Sequence, residues 1–463
     1  MAQINEQIRS KYFLDVLHLF HEIQWLYNLP VTEILTKSVL EEFPEEWISA
    51  LQVLENDELN DFVVNKIAKP HWPATLKQFT ERCKHFNRLP ITAVLSPIQL
   101  PKDFTIGLSY KKQHEILQLA HLVHSQCASD EIKVIVDLGA GLGYVCQLLY
   151  HLYGYQVLGL EKSSAIVNSA RNRQTKMYPN SLENVKYDCC DIACDSAQKI
   201  ESLLQDNFEG SQSVCLIGLH ACGDLSIHAS KIFNDMKVAR IFIMISCCYH
   251  KLSTSNNTKR GVSKENEYFR YFPISHGLQD VVGNFDFDIG SFLRTPFLRL
   301  ACQEPADRWS DMSSEAHNEH SFHVLARAVL QLYATKNDYC LKKRVNKGTR
   351  KSQCTNFETY LKDSLLRYTI VQADGNTFDE KDHDSKLEMH EKEIMKLWKS
   401  HSDKLRIVEI YSGLQLMLQA PAESLVLQDR LYWFHERNLD AEIVLVTDRT
   451  ISPRSNAIVS RKR

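Results

Sequence analysis

Asp137, Gly139, Gly141 and Gly143 stand in one short run, Val-Asp-Leu-Gly-Ala-Gly-Leu-Gly-Tyr at 136–144. Glycine lets a ligand approach the backbone and leaves N–H groups free to donate. Glu161 adds a carboxylate about 24 positions after Asp137, near the spacing at which an acid reaches ribose hydroxyls in doubly wound folds. Such a group accepts both hydroxyl protons, which a neutral side chain does less well. Asp191 is a third acid. Two later runs, His220-Ala221-Cys222-Gly223-Asp224 and Cys247-Cys248-Tyr249-His250, carry groups suited to moving a proton. Imidazole suits that task because its ordinary pKa lies near neutrality.

Short apolar strands position these groups. Ile132–Val136 leads into the glycine run, and Val145, Leu148, Leu149 and Leu152 follow at helical spacing. Gln156–Leu160 ends at Glu161, a third strand precedes Asp191, Val214–Gly218 runs into His220, and Ile241–Ile245 runs into Cys247. Strand and helix alternate five times between 132 and 250, which predicts a parallel sheet. Open parallel sheets bind ligands outside the carboxyl ends of their strands. Asp137, Glu161, Asp191, His220, Asp224, Cys247, Cys248 and His250 are therefore expected on one rim. A dinucleotide fingerprint needs G-x-G-x-x-G, but the third glycine position holds Tyr144, which disfavours a nicotinamide-dependent dehydrogenase. The observed G-x-G-x-G after an acidic strand end resembles motif I of class I S-adenosylmethionine-dependent methyltransferases.

That likeness implies an α/β fold, the Rossmann-like seven-stranded sheet of class I methyltransferases. It implies S-adenosylmethionine as cofactor, held by Asp137, Gly139, Ala140, Gly141, Gly143, Glu161, Lys162, Asp191, Ile192 and His220, with Asp191 on the adenine amino group. His-Ala-Cys-Gly-Asp-Leu at 220–225 and Cys-Cys-Tyr-His-Lys-Leu at 247–252 resemble the methyltransferase-like protein 25 group. So do Tyr110-Lys111-Lys112-Gln113-His114-Glu115, Leu300-Ala301-Cys302, Asn356-Phe357-Glu358-Thr359-Tyr360 and Ile451-Ser452-Pro453-Arg454. The resemblance covers roughly 105–463. A more distant one is to transfer-RNA 2′-O-methyltransferases, whose later Cys-Cys-His-His element has Tyr249 at its third position here.

The 463 residues, 44% hydrophobic and 24% charged, suit a globular chain of two or three domains. A net charge of −3 gives no strong field, so a nucleic-acid partner would need a local basic patch. Met1–Ser10 is polar and lacks an apolar core, and no run of about 18 apolar residues occurs, so neither a secretory leader nor a membrane span is expected. Thirteen cysteines, an odd number scattered through apolar strands, suit free thiols in a reducing intracellular compartment, cytoplasmic or nuclear. Residues 1–104 read as an N-terminal helical domain punctuated by Pro70, Pro73, Pro90, Pro97 and Pro101. Residues 105–253 read as the catalytic core, and 254–400 as a mainly helical insertion whose stretch Asp374–Lys386 is acidic and polar. At 401–463 a helix over Ser424–Glu436 and strands Ala441–Val446 and Asn456–Ser460 complete the sheet.

Methyl transfer is an in-line displacement from an already activated donor, so the protein chiefly aligns the partners. A hydroxyl or amine acceptor needs a base, and His220, Asp224 and His250 are the candidates. The alternative for Asp224 is a helix N-cap. No metal is assigned, because Cys247 and Cys248 are adjacent whereas zinc cysteines usually stand two to four residues apart. Lys342, Lys343, Arg344, Lys347, Arg350 and Lys351 fit RNA backbone contact, a nuclear-localisation signal or a solvated loop. The chain lacks the Asn/Asp-Pro-Pro-aromatic signature of amino-methylating enzymes after its fourth strand, which counts against adenine N6 methylation. RNA, transfer or ribosomal, is the favoured acceptor, with the 2′-oxygen as a candidate atom. A protein or small-molecule acceptor, or a non-catalytic scaffold, is the rival reading.

Overall fold

The computed structural model describes residues 2–92, 95, 99–210, 213–255, 266–344, 356–372 and 383–462. Nine strands are present among them. In chain order they are β1 (Val134–Leu138), β2 (Gln156–Glu161), β3 (Val185–Cys189), β4 (Val214–Ala221), β5 (Ala239–Ser246), β6 (Tyr339–Lys343), β7 (Tyr368–Gln372), β8 (Asp440–Leu445) and β9 (Asn456–Arg461). The chain forms two compact units, one of 1–22, 85–305 and 419–463, the other of 23–84 and 306–418.

The first unit is built on a seven-stranded sheet of order β3-β2-β1-β4-β5-β9-β8. The first five strands pair in parallel, and β9 runs antiparallel to both β5 and β8. All five residues of β1 are buried, as a strand covered on both faces requires. The helices Tyr110–Cys127 and Tyr144–Tyr153 supply Ile116, Leu119, Val123, Val145, Leu148 and Leu149 to a core shared with Ile135, Val157, Ile217 and Ile243 of the sheet. Elsewhere in this unit, Phe242 of β5 packs with Phe233 of the helix Leu225–Asp235 and with Phe434.

The glycine turn connects β1 to the helix Tyr144–Tyr153. Gly139, Gly141 and Gly143 have φ of +85°, +57° and +74°, a region that side chains other than glycine rarely enter. A Cβ at Gly143, the residue capping that helix, would also collide with the Tyr187 hydroxyl.

In the second unit, the helices Glu45–Leu51, Asn56–Asn65, Ser314–Lys336, Phe357–Arg367 and His383–Lys399 surround buried aromatic and polar groups. His317, fully buried, joins Glu409 through Nδ1 and Asn60 through Nε2, the latter at 2.8 Å. An antiparallel ribbon of β6 and β7, unforeseen in the mainly helical reading of 254–400, also lies here.

The units do not coincide with boundaries at 104/105, 253/254 and 400/401. The helix Ala2–Glu22 packs with the helix His276–Gly283 in the sheet-bearing unit, where Phe13 meets Tyr432 and Phe20 meets Phe297 edge-on. Residues 23–84 group with 306–418 instead. Such long-range packing leaves no local signature in sequence.

Candidate active site

The rim expected from the strand ends is present, because β1 to β5 run in one direction and their carboxyl ends share one edge. Asp137 lies on β1 and is 2% exposed. Its Oδ2 accepts from the Cys146 thiol at 3.3 Å, while its buried Oδ1 has no partner among the described residues. Burial above all, with the charge of Glu161 adding, pushes its carboxyl up to about 6, against the pull of the Cys146 bond. A buried acceptor without a donor is costly unless a ligand supplies one.

Glu161 ends β2 and closes on the glycine turn. Its Oε2 accepts from Gly141 N at 3.3 Å and its Oε1 from Ser163 N at 3.2 Å. Gly139 N and Ala140 N both donate to Leu160 O, at 2.8 and 3.0 Å, which ties the turn to β2. A Cβ built on Gly141 would meet no described residue other than its chain neighbours within 4 Å. The space over the turn is open where a ligand must approach.

Asp191 follows β3 and is exposed, paired with Lys162 at 2.8 Å. Ile192 O accepts from His228 Nδ1 at 3.0 Å, anchoring this segment to the helix Leu225–Asp235.

His220 sits at an irregularity between β4 and β5, where the register shifts between Leu219 and Ala221. Its φ is +61°. A bulge of this kind re-aims a side chain, and such strained positions cluster at functional sites. Its partner is Glu115, on the buried face of the helix Tyr110–Cys127, with Nε2 3.0 Å from Oε2. A carboxylate only accepts, so Nε2 carries the proton and Nδ1 is left basic. Glu115 also accepts from Ser452 Oγ at 2.6 Å and faces Lys111 Nζ at 3.8 Å.

Asp224 and His250 have other commitments. Asp224 occupies the N-cap position of the helix Leu225–Asp235 without capping it through its side chain. Instead its carboxylate takes Ser253 N at 3.0 Å and the Ser253 hydroxyl. His250 Nδ1 lies 3.1 Å from Cys302 Sγ, and burial, then the cations Arg299, Lys251 and Arg454, hold its pKa down. The partner on His220 is thus Glu115, which sequence reasoning did not single out as a site residue. Its signal was an acid beside Ile116 and Leu119, on the stripe that must be buried.

Below β5, Arg430 donates to Ser246 Oγ at 2.7 Å and its guanidinium lies 5.0 Å from the Tyr249 ring centre. The Tyr249 hydroxyl donates to Glu423 at 3.2 Å. Beside it, the Cys247 thiol bonds Cys222, which foremost lowers the Cys222 pKa to about 6 and raises that of Cys247.

In the second unit Lys342 and Lys343 lie exposed on β6. Successive strand residues face opposite sides, so the two cations leave on different faces of the ribbon. Arg344 Nε donates to Thr369 Oγ1 at 2.5 Å. Lys347, Arg350 and Lys351 lie outside the described residues, as do Pro97 and most of Asp374–Lys386. No described helix is long and apolar enough to cross a membrane.

The strand order, the antiparallel β9 and the glycine turn on β1 form the Rossmann-like seven-stranded sheet expected of a class I methyltransferase fold. The unpartnered Asp137 Oδ1, the open space over Gly141 and the carboxylate of Glu161 fit S-adenosylmethionine as cofactor. Residues 111–255 match the methyltransferase domain family. The chain is similar to probable methyltransferase-like protein 25 of Mus musculus, 26% identical over 304 residues, which are 65% of this chain and 46% of that one. It is also similar to the Homo sapiens protein of the same name, 25% identical over 270 residues, 57% of this chain and 39% of that one. The match spans less than half of either relative. Among solved structures, coclaurine N-methyltransferase bound to N-methylheliamine and SAH aligns at 11% identity over 93% of this chain and 100% of that one, with a TM-score of 0.25.

Proposed function

We propose that this chain transfers a methyl group from S-adenosylmethionine to an RNA hydroxyl, at the 2′-oxygen of a transfer or ribosomal RNA. The observation that carries the reading is the His220–Glu115 pair on the same sheet edge as Asp137, Gly141 and Glu161. When bound, the cofactor supplies a methyl already activated on sulfonium. Asp137 and the turn 139–143 would hold its amino-acid portion, Glu161 its ribose hydroxyls, and Asp191 with Ile192 its adenine.

His220 Nδ1 takes the proton of the acceptor hydroxyl, and Glu115 stabilises the imidazolium that results. A positioned base of this kind contributes about 10²–10⁴-fold. A hydroxyl depends on such a base more than a neutral amine does, because the amine attacks through its own lone pair and sheds its proton afterwards, whereas a hydroxyl is a weak nucleophile until its proton is removed. His220-Ala221-Cys222-Gly223 in place of an amino-methylating signature favours the same acceptor atom. Lys342, Lys343 and Arg344 support an RNA acceptor as cations for its phosphates.

Calorimetric titration with S-adenosylmethionine tests the cofactor, and absence of heat at millimolar ligand overturns it. Incubation with methyl-labelled cofactor and either total RNA or total protein tests the acceptor. Label in RNA that disappears with His220→Ala is expected. Label confined to protein or to small molecules overturns the RNA reading and leaves the cofactor reading standing.

A further inference from the structure

Three sulfurs converge at the carboxyl ends of β4 and β5. Cys222 follows β4, and Cys247 and Cys248 follow β5. Cys222 Sγ lies 2.8 Å from Cys247 Sγ, Cys247 Sγ lies 3.4 Å from Cys248 Sγ, and all three lie within 4.8 Å of one another. Cys247 is buried and the other two are half-buried. A thiol is a weak donor and a weak acceptor, so three of them gain little from each other's company. A soft cation changes that balance, since thiolate sulfur is the ligand such ions select.

The spacing suits zinc. Zinc binds thiolate sulfur at about 2.3 Å, which in a tetrahedral site places sulfurs roughly 3.8 Å apart. Two of the separations here, 2.8 and 3.4 Å, fall short of that value and the third is at most 4.8 Å, so small side-chain rotations would bring the three sulfurs to it. Adjacency of Cys247 and Cys248 argues against a zinc loop whose ligands all lie on one segment, but the third ligand comes from a different strand. The two segments are also joined by backbone. Gly223 N donates to Cys248 O at 3.3 Å, and a Cβ on Gly223 would meet Lys251 O at 2.6 Å. The ligands therefore sit on two turns already held face to face.

We propose that Cys222, Cys247 and Cys248 bind zinc and so pin the turn after β4, two residues beyond His220, to the turn after β5. Three thiolates leave one tetrahedral position for water. Binding releases the thiol protons to solvent, since ligands must be deprotonated. The proposal is independent of methyl transfer, because its readout is metal content.

The full chain, purified in reductant without chelator, is assayed by plasma mass spectrometry for zinc, and cobalt(II) is substituted for it. About one zinc per chain is expected, with thiolate-to-cobalt charge-transfer absorption in the near ultraviolet. The double variant Cys222→Ser/Cys248→Ser should lose both, while Cys340→Ser, an exposed cysteine elsewhere, keeps both. Should the double variant not fold, the wild-type chain decides: adding a chelator must open residues 222, 247 and 248 to alkylation, located by peptide mapping. A folded wild-type chain that holds no zinc and takes none up overturns the proposal. So does zinc content unchanged in a folded double variant, or a Cys222–Cys247 disulfide in a zinc-free chain.

Discussion

Glu115 and His220 stand 105 positions apart in the chain and 3.0 Å apart in space. The carboxylate is 2% exposed. Burial alone pushes its pKa up, but the bonds from His220 and Ser452 and the charges of His220 and Lys111 outweigh burial, so the group is held below the usual glutamate range. It is therefore an ionised acceptor at neutral pH that fixes the tautomer and orientation of an imidazole on a left-handed bulge.

Glu115→Gln keeps the size of that side chain and removes its charge. If Glu115 positions His220, kcat should fall about 10–100-fold in Glu115→Gln, with the cofactor dissociation constant unchanged. Glu115→Ala should lose more. Stopped turnover assays with calorimetry alongside separate the two quantities. An unchanged kcat in a folded Glu115→Gln chain removes Glu115 from the mechanism.

Gly141 is the position where cofactor space and fold are separable. Its φ is +57°, yet among the described residues beyond its chain neighbours none comes within 4 Å of a Cβ placed there. Gly141→Arg should cost modest stability, on the order of 1 kcal/mol from the backbone, while its side chain fills the cradle and abolishes S-adenosylmethionine binding. Gly143→Ala differs, because its Cβ collides with buried Tyr187 and the fold itself must give. Thermal melts and cofactor titration of both variants check the contrast. Normal cofactor affinity in Gly141→Arg would place the ligand elsewhere.

The strand run and the acids Asp137, Glu161 and Asp191 at the ends of the first three strands were legible from periodicity, because a buried parallel strand leaves an apolar run that stops at a polar residue. The closing strands also appeared close to their observed bounds, Asp440–Leu445 and Asn456–Arg461 against expected 441–446 and 456–460. The ribbon of β6 and β7 escaped. Its strands, Tyr339–Lys343 and Tyr368–Gln372, are separated by a helix; the first ends in exposed Lys342 and Lys343 and the second buries adjacent Ile370 and Val371, so neither shows an apolar alternation. Glu115 and Ser452 escaped for another reason: their roles depend on which distant segments meet, and no spacing rule connects 115, 220 and 452.

Arg430 is 5% exposed, and burial pulls its pKa down. Arg430→Met keeps the bulk and loses the bond to Ser246 and the stacking over Tyr249. Asp429 beside it stays satisfied by Ile274 N at 2.8 Å and Ser275 N at 2.9 Å. Removing one member of a buried polar network typically costs about 3–5 kcal/mol. A lowered melting temperature is expected, with faster alkylation of Cys247 and Cys248, whose turn rests on this network. A melting temperature within one degree or so of wild type would show that Ser246 and Tyr249 find replacement partners.

Asp137 couples cofactor binding to pH. Its carboxyl titrates near 6 in the folded chain against 3.8 unfolded. Between those values the folded chain keeps a proton that the unfolded chain has released, so stability falls as pH rises through this window. Above about 6 the whole cost of a buried charge is present, on the order of 1–3 kcal/mol. Asp429, also near 6, adds a slope of the same sign that Asp137→Asn leaves in place. Asp137→Asn should therefore stabilise the ligand-free chain at pH 7.5 and leave it little changed at pH 4, by denaturant melts. A cofactor whose ammonium meets Asp137 needs the ionised acid. S-adenosylmethionine should then raise the wild-type melting temperature more at pH 7.5 than at pH 5, and by a smaller, pH-independent amount in Asp137→Asn. Equal shifts at the two pH values in the wild-type chain would mean that the unpartnered Oδ1 is not where the ligand's charge is met.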